Sequence, residues 1–228
     1  MTPAAPASFW RRYAAYSLDF VVLALLATLL SWSRLEAGWH RTVGATEGLT
    51  QTLRGSLETA LAQGVSPDGL SSRLLQDVGV QAGAAGVQAG LMAMLLPWLL
   101  VYAIAAALYH IGFERSPWAG SPGKHALQLR VVDAHGDVVP GLLQTLVRHV
   151  AGALSWLTLN LGHALAAVPP QKRALHDYVA GTRVVSDNPS LRLPAWARAW
   201  LWLQVIAVVG LIAVLVLRDI AALQGSLA

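Results

Sequence analysis

The chain has 228 residues, of which 55% are hydrophobic and only 12% charged, with a formal net charge of +4. A soluble domain carries about twice that share of charged residues, so an ordinary globular protein is excluded and a membrane protein is indicated. The absence of cysteine excludes disulfides and thiolate metal sites.

Residues 1–8 form a short lead of small residues that predicts disorder. An apolar run follows over about 10–32, long enough to cross a bilayer and too long for the hydrophobic part of a cleavable signal. Arg11 and Arg12 mark its start as the cytoplasmic end, and Trp10 and Trp32 bracket it as interfacial anchors. Asp19 lies inside this run. Arg12, Tyr16 and Asp19 share one helix face, with Asp19 about 10 Å deeper than Arg12. A direct Arg12–Asp19 pair would be strained at that separation, so the acid is expected to meet a group from another segment.

Residues 33–78 are polar, with four Arg against five acids, a balance that suits the extracytoplasmic side. Leu49, Leu53, Leu57 and Leu61 recur every four residues and predict an amphipathic helix. Ser66-Pro67 predicts the start of a second short helix reaching about Val78. Either a lid over a substrate or a plain connector fits this insertion. Residues 79–90 are rich in Gly and Ala. Their small-xxx-small spacings allow close helix approach, and a homo-oligomer through this face is one use for them. A second span is predicted over about 88–111, with a kink at Pro97.

Residues 112–141 differ in kind. Gly120-Ser121-Pro122-Gly123-Lys124 reads as a tight turn, and the alternating LQLRVVDAHGDVV as a small β-hairpin with its turn at Ala134-His135-Gly136. Thr182–Val185 is a further strand able to pair with Leu129–Val132 if both lie on one side of the membrane. Residues 142–168 are apolar but interrupted by Arg148, His149, Asn160, Gly162 and His163, and are too few for two crossings. A single crossing would put residues 169–198, with five Lys or Arg against two Asp, on the outside, against the positive-inside rule. A re-entrant or interfacial helical hairpin avoids that conflict, and a full fourth span is the alternative. A last span is predicted over about 196–217, led by Trp196, Trp200 and Trp202.

Four pieces of this chain, FWRRYAAYSLDFVVL, GSPGKHALQLRVVDAHGD, LLQTLVRHV and KRALHDYVAGTRVV, resemble in order and spacing the RDD family of bacterial membrane proteins, named for one arginine and two aspartates. The resemblance carries the arginine to Arg12 and the aspartates to Asp19 and Asp177. The family's usual Thr-Pro-Gly-Lys is here Ser121-Pro122-Gly123-Lys124, and residues 33–90 and the Trp-rich last span look like additions. The family's molecular function is unsettled; the resemblance implies transport of ions or small ligands, some members looking like sodium/proton antiporters.

The expected fold class is an all-α membrane protein: a bundle of three to four transmembrane helices with a re-entrant or interfacial segment and a small cytoplasmic β element. The chain divides into the lead 1–8, a membrane domain 9–186 with its 33–78 insertion, and a linker and last helix over 187–228. A buried charged side chain in a span needs a partner or a water-filled cavity. The expected network joins Arg12, Asp19 and Asp177, with Arg148, Lys124 and His176 as further partners. No nucleophile motif accompanies His176-Asp177, and the seven His lack ligand spacing, so neither an enzyme nor a metal or other cofactor is expected. The incomplete phosphate-loop spacing at residues 120–124 argues against nucleotides. The expected setting is the bacterial inner membrane, multi-pass with a cytoplasmic N-terminus. The partners expected are the lipid bilayer and a homo-oligomer or membrane protein, with no nucleic acid. Two functions remain open: an ion- or ligand-translocating protein, and a non-transporting scaffold or accessory subunit.

Overall fold

The computed structural model describes residues 5–158, 160–187 and 192–227. Three helices are long and apolar enough to cross a membrane: α1 (Phe9–Leu30), α4 (Val78–Arg115) and α9 (Ala195–Leu227). Their outward faces carry Leu, Val and Ile at high exposure, which a bilayer accepts and water does not. The protein is an all-α membrane protein with one small sheet.

The chain forms two compact units, one of residues 1–21 with 107–228 and one of residues 22–106. The first is built round a sheet of β1 (Ala5–Pro6), β2 (Leu129–Asp133) and β3 (Thr182–Ser186), in the order β1-β3-β2 and antiparallel throughout. The pairing of Thr182–Val185 with the earlier Val-rich strand forms, with Val131 opposite Val184. The local hairpin does not. After the turn the chain returns only one bond, from Asp133 N to Val138 O, and the partner of β2 comes from some fifty residues on. Buried Val131, Val184 and Val185 explain the choice, since the distant strand covers an apolar face that the polar turn cannot. The predicted disorder at 1–8 is also overturned over 5–8, where β1 pairs with β3 and Ala7 donates to Val184 O, while residues 1–4 lie outside those described.

The starts of α1 and α9 are tied to the sheet. Ala14 and Ala15 of α1 pack on Leu127, Leu129 and Val184, and Ala197 of α9 joins them. Arg11 donates to Ser186 Oγ at 2.8 Å and to the Arg192 carbonyl at 3.1 Å, joining the start of α1, β3 and the lead into α9. Ser17 Oγ accepts from Trp200 Nε1 and Gln204 Nε2, clipping α9 to α1.

Between β2 and β3 lie α6 (Leu142–Leu157), α7 (Leu161–Ala164), a 3-10 turn (Leu165–Ala167) and α8 (Leu175–Val179). Because β2 and β3 share a sheet, this segment must leave and return on one side of the membrane. α6 turns back through 116° into the next helical pair. α6 itself, at about 24 Å, falls short of the roughly 30 Å hydrocarbon core. Its pattern is inverted. Thr145, Arg148 and Ser155 face inward and are buried, whereas Leu143, Leu146, Val150 and Leu154 are exposed.

The second unit packs α2 (Trp32–Ala62) on the first half of α4, with α3 (Pro67–Gln76) between them in sequence. The predicted helix at 49–61 is the end of this much longer α2. Ser66 caps α3 as expected, accepting from Gly69 N at 3.4 Å. The second span begins ten residues earlier than predicted, at Val78, and continues through Pro97. Its glycine stripe is used inside the chain: a Cβ on Gly83 would sit 2.9 Å from Leu49, and one on Gly90 2.6 Å from Thr42 Oγ1 and 2.9 Å from Thr42 N. Gly38 answers from α2, against Met94. The face offered above for a homo-oligomer is therefore occupied by α2.

Two outcomes follow from this architecture. Single cysteines at Gly136 and Asp187 should react with an impermeant maleimide from one and the same side of the membrane. In thermal unfolding, Gly90→Ala should lose about 1–3 kcal/mol by overpacking. Gly44→Ala, which meets open space, should be neutral or gain up to about 1 kcal/mol in helix propensity.

Candidate functional site

Two carboxylates define the polar interior of the first unit, and they are held in different ways. Asp177 sits in the first turn of α8 and is fully buried. Its Oδ2 accepts from Arg12 Nη2 at 2.5 Å and from Ala174 N at 2.8 Å. Its Oδ1 is in direct contact with Arg148 Nη1. Arg148 also donates to Thr182 Oγ1 at 2.9 Å, and its Nε lies 3.3 Å from Glu114 Oε2. Glu114 in turn is 2.6 Å from Lys124 Nζ. The result is a chain of alternating charge, Arg12–Asp177–Arg148–Glu114–Lys124, tying α1, α8, α6, α4 and α5 (Pro122–Ala126). Arg12 further donates to the Lys172 carbonyl, and Arg173 to the carbonyls of Asp177 and Thr182.

Burial alone would push the Asp177 carboxyl up. Arg148, then Arg12, outweigh it and hold the group well below the usual carboxylate range. A carboxylate depressed in the folded state contributes stability that is complete above its unfolded value and is lost only as pH falls through the depressed one. Asp177 is thus a fixed charge. His176, beside it, is pushed well below the ordinary imidazole value, first by burial and then by Arg148, with Asp177 opposing. It is neutral at pH 7. Its contribution is full above about 6.5, the ordinary value, and fades as pH falls below it.

Asp19 belongs to none of this. It is buried at 2% exposure and accepts from Ser121 Oγ at 2.5 Å, Gly123 N at 2.8 Å and Tyr109 OH at 2.8 Å. Among the described residues no basic side chain forms an ion pair with it. The expected single network of Arg12, Asp19 and Asp177 is therefore two separate arrangements. The cause is depth along α1. Arg12 lies level with α8, whereas Asp19, about 10 Å farther along the helix, lies level with the turn that opens α5. That turn comes very close: a Cβ on Gly123 would stand 2.4 Å from the Ala15 carbonyl and 2.8 Å from Asp19 Oδ1. The Ser121-Pro122-Gly123 sequence is thus a cradle for the carboxylate, with Gly required for the approach.

Of the further partners named from sequence, Arg148 reaches Asp177, Lys124 reaches Glu114 and His176 lies 3.6 Å from Asp177 Oδ1. Sequence reasoning missed Glu114 and Tyr109. An acid in the last turn of a helix opposes the helix dipole, so Glu114 at the end of α4 carried a usable sign of an external cation. A tyrosine within an apolar span gives no such sign for Tyr109. His163 lies against His176, ring centroids 4.8 Å apart, and against Tyr16 at 5.7 Å. His149 faces His110 at 6.2 Å. Among the described residues no group of three or more His, Asp or Glu is placed to hold a metal ion.

A sheet-anchored bundle with an arginine–aspartate clamp and a second, cation-free aspartate in its first span defines a class of membrane protein, and comparison identifies it. The family profile described as the RDD family matches residues 6–181. The chain belongs to the RDD family. A curated relative, described as "Uncharacterized protein YxaI" of Bacillus subtilis (strain 168), is 33% identical over 90 residues, 40% of this chain and 58% of that protein. The match thus spans little more than half of the relative's length. No solved structure matches.

The two aspartates should part company on mutation. Asp177→Asn leaves two arginines competing for one amide oxygen and should cost about 3–5 kcal/mol, the range for breaking a buried pair. Asp19→Asn should unfold near the wild-type temperature. Its amide oxygen accepts from Tyr109 and Gly123 while its NH2 donates to a rotated Ser121 hydroxyl. Thermal unfolding of both variants in one detergent compares them directly.

Proposed function

We propose that this protein translocates a small cation, proton or sodium, across the bacterial inner membrane, with Asp19 as the group that carries it. The observation behind this reading is the neutral coordination of a buried carboxylate. Asp177 is held by two guanidinium groups, which keep it ionised. Asp19 is surrounded by two hydroxyls and one backbone N–H. Hydroxyls reorient at little cost, donating to the ionised carboxylate and turning their oxygens to a bound cation. Buried ionisable groups of this kind in spanning helices mark ion pathways. The charge chain of Arg12, Asp177 and Arg148 serves in this reading as the frame that holds α1 against α8 and α6, not as a relay.

The orientation follows the basic residues. Lys172, Arg173, Arg183, Arg192 and Arg198 gather on the sheet side of the spans, and the positive-inside rule assigns that side to the cytoplasm. The strand β1, which pairs with the sheet, lies there too. The bilayer is the first partner in this reading, and no catalytic step is involved.

The test is flux through vesicles holding the purified protein, read with an internal pH dye under imposed proton or sodium gradients. Wild-type and Gly44→Ala vesicles should carry ion-linked flux, and Asp19→Asn, though folded, should sit at the empty-vesicle level. Undiminished flux in Asp19→Asn removes the reading. Silence of the wild type, with a stoichiometric protein recovered in mild detergent, would favour a scaffold or accessory subunit.

A further inference from the structure

Asp177 Oδ1 faces two nitrogens at once. Arg148 Nη1 contacts it directly and His176 Nε2 stands 3.6 Å away. A neutral imidazole at that distance makes no hydrogen bond, so the arginine holds the oxygen alone. We infer that His176 is a proton-binding site that competes with Arg148 for Asp177 Oδ1, so that a proton arriving on the imidazole releases α6 from α8. The proton comes from water and rests on Nε2. The charge of the cluster rises by one, which Arg148 relieves by leaving.

The groups packed round His176 make this a competition. On its own helix stands Asp177, the anion both donors want. From α6 comes Arg148, while the ring itself lies over Gly152, where a Cβ would be 3.8 Å from His176 Nδ1. From α7 comes His163, ring to ring, with Tyr16 of α1 behind it. From α1 comes Arg12, held on the other oxygen, Oδ2. Two cations already face one carboxylate, so a third charge cannot join without one leaving. Arg12 has a second hold on the Lys172 carbonyl of the same α8 approach. Arg148 has its alternative anchors elsewhere, on Glu114 and Thr182. Arg148 is the one able to leave while remaining bonded.

Among the described residues the buried His176 Nδ1 has no hydrogen-bond partner, nor has that of His163. Imidazoles kept for structure alone are ordinarily satisfied. Two unsatisfied ones in contact, beside a doubly claimed carboxylate, are the second observation for a site that is occupied in another state. This inference stands on the Asp177 chain and not on the Asp19 reading, so either can fail alone.

The chain has no cysteine of its own, so Ala180→Cys, at the buried end of α8, reports release of that helix in vesicles. Its reaction rate with a small thiosulfonate is divided by that of Gly136→Cys, in an exposed turn, which cancels the pH dependence of thiols. The ratio should rise several-fold between about pH 7.5 and about pH 5 and stay flat in a His176→Gln background. A second measurement follows the imidazole by nitrogen NMR in the full chain. Arg148→Lys, which keeps the charge but shortens its reach, should raise the His176 midpoint by at least about one pH unit. A ratio that stays flat in the wild type, or rises equally in His176→Gln, overturns the inference, as does an unmoved midpoint in Arg148→Lys.

Discussion

Asp177 takes two arginines out of water into a buried site. Burying isolated charges costs several kcal/mol each, and an ion pair recovers that only with good geometry and further hydrogen bonds. The chain Arg12–Asp177–Arg148–Glu114–Lys124 meets this condition by alternation. Every interior member has an opposite charge on both sides, and spare donors end on Thr182 Oγ1 and on backbone carbonyls. In a bilayer apolar helices gain little by leaving lipid for one another. The polar chain therefore does what a hydrophobic core does in water, and five helices depend on it.

That dependence explains the inversion of α6. A helix with Arg148 and Thr145 inward and Leu143, Val150 and Leu154 outward is unfavourable in water and favoured against hydrocarbon. The sheet then limits where such a helix can go. With Leu129 opposite Ser186 and Asp133 opposite Thr182, the ends of the segment are pinned side by side. A segment pinned at both ends in this way has to come back beside its own start within about forty residues. The inward arginine is then shielded by the protein that the strands hold beneath it.

The legible parts of this protein were those written as composition or as repeated spacing. The three spans, the Ser66 cap and the strand pairing follow from runs of apolar residues, from proline placement and from the alternation of the Val-rich strands. The family resemblance supplied Arg12, Asp19 and Asp177 as a set but not their partition. Helix spacing put Arg12 and Asp19 on one face at different depths, and Asp19 does meet groups from other segments, but the expectation that one network joins both to Asp177 failed. What lay opposite each residue depended on where α5 and α8 dock along α1, and that is set by tertiary contacts such as the Gly123 approach to Ala15. The glycine stripe failed in a similar way. Small residues announce a close neighbour without saying whether it comes from the same chain, and the neighbour is α2.

The cradle round Asp19 has a mechanical consequence. Oδ1 accepts from a phenol on α4 and a backbone N–H on α5, and Oδ2 from the hydroxyl of the residue that opens α5. Three segments therefore converge on one carboxylate with no room between them, since even a methyl group on Gly123 would collide with α1. An ion has space at Asp19 only if the Ser121–Gly123 turn withdraws. Lys124, the next residue, is anchored to Glu114 at the end of α4, and Glu114 to Arg148. A movement that opens Asp19 accordingly pulls on the same chain of charges that ends at Asp177. The two aspartates share no bond, yet the backbone between Gly123 and Lys124 makes the loosening of one a strain on the other.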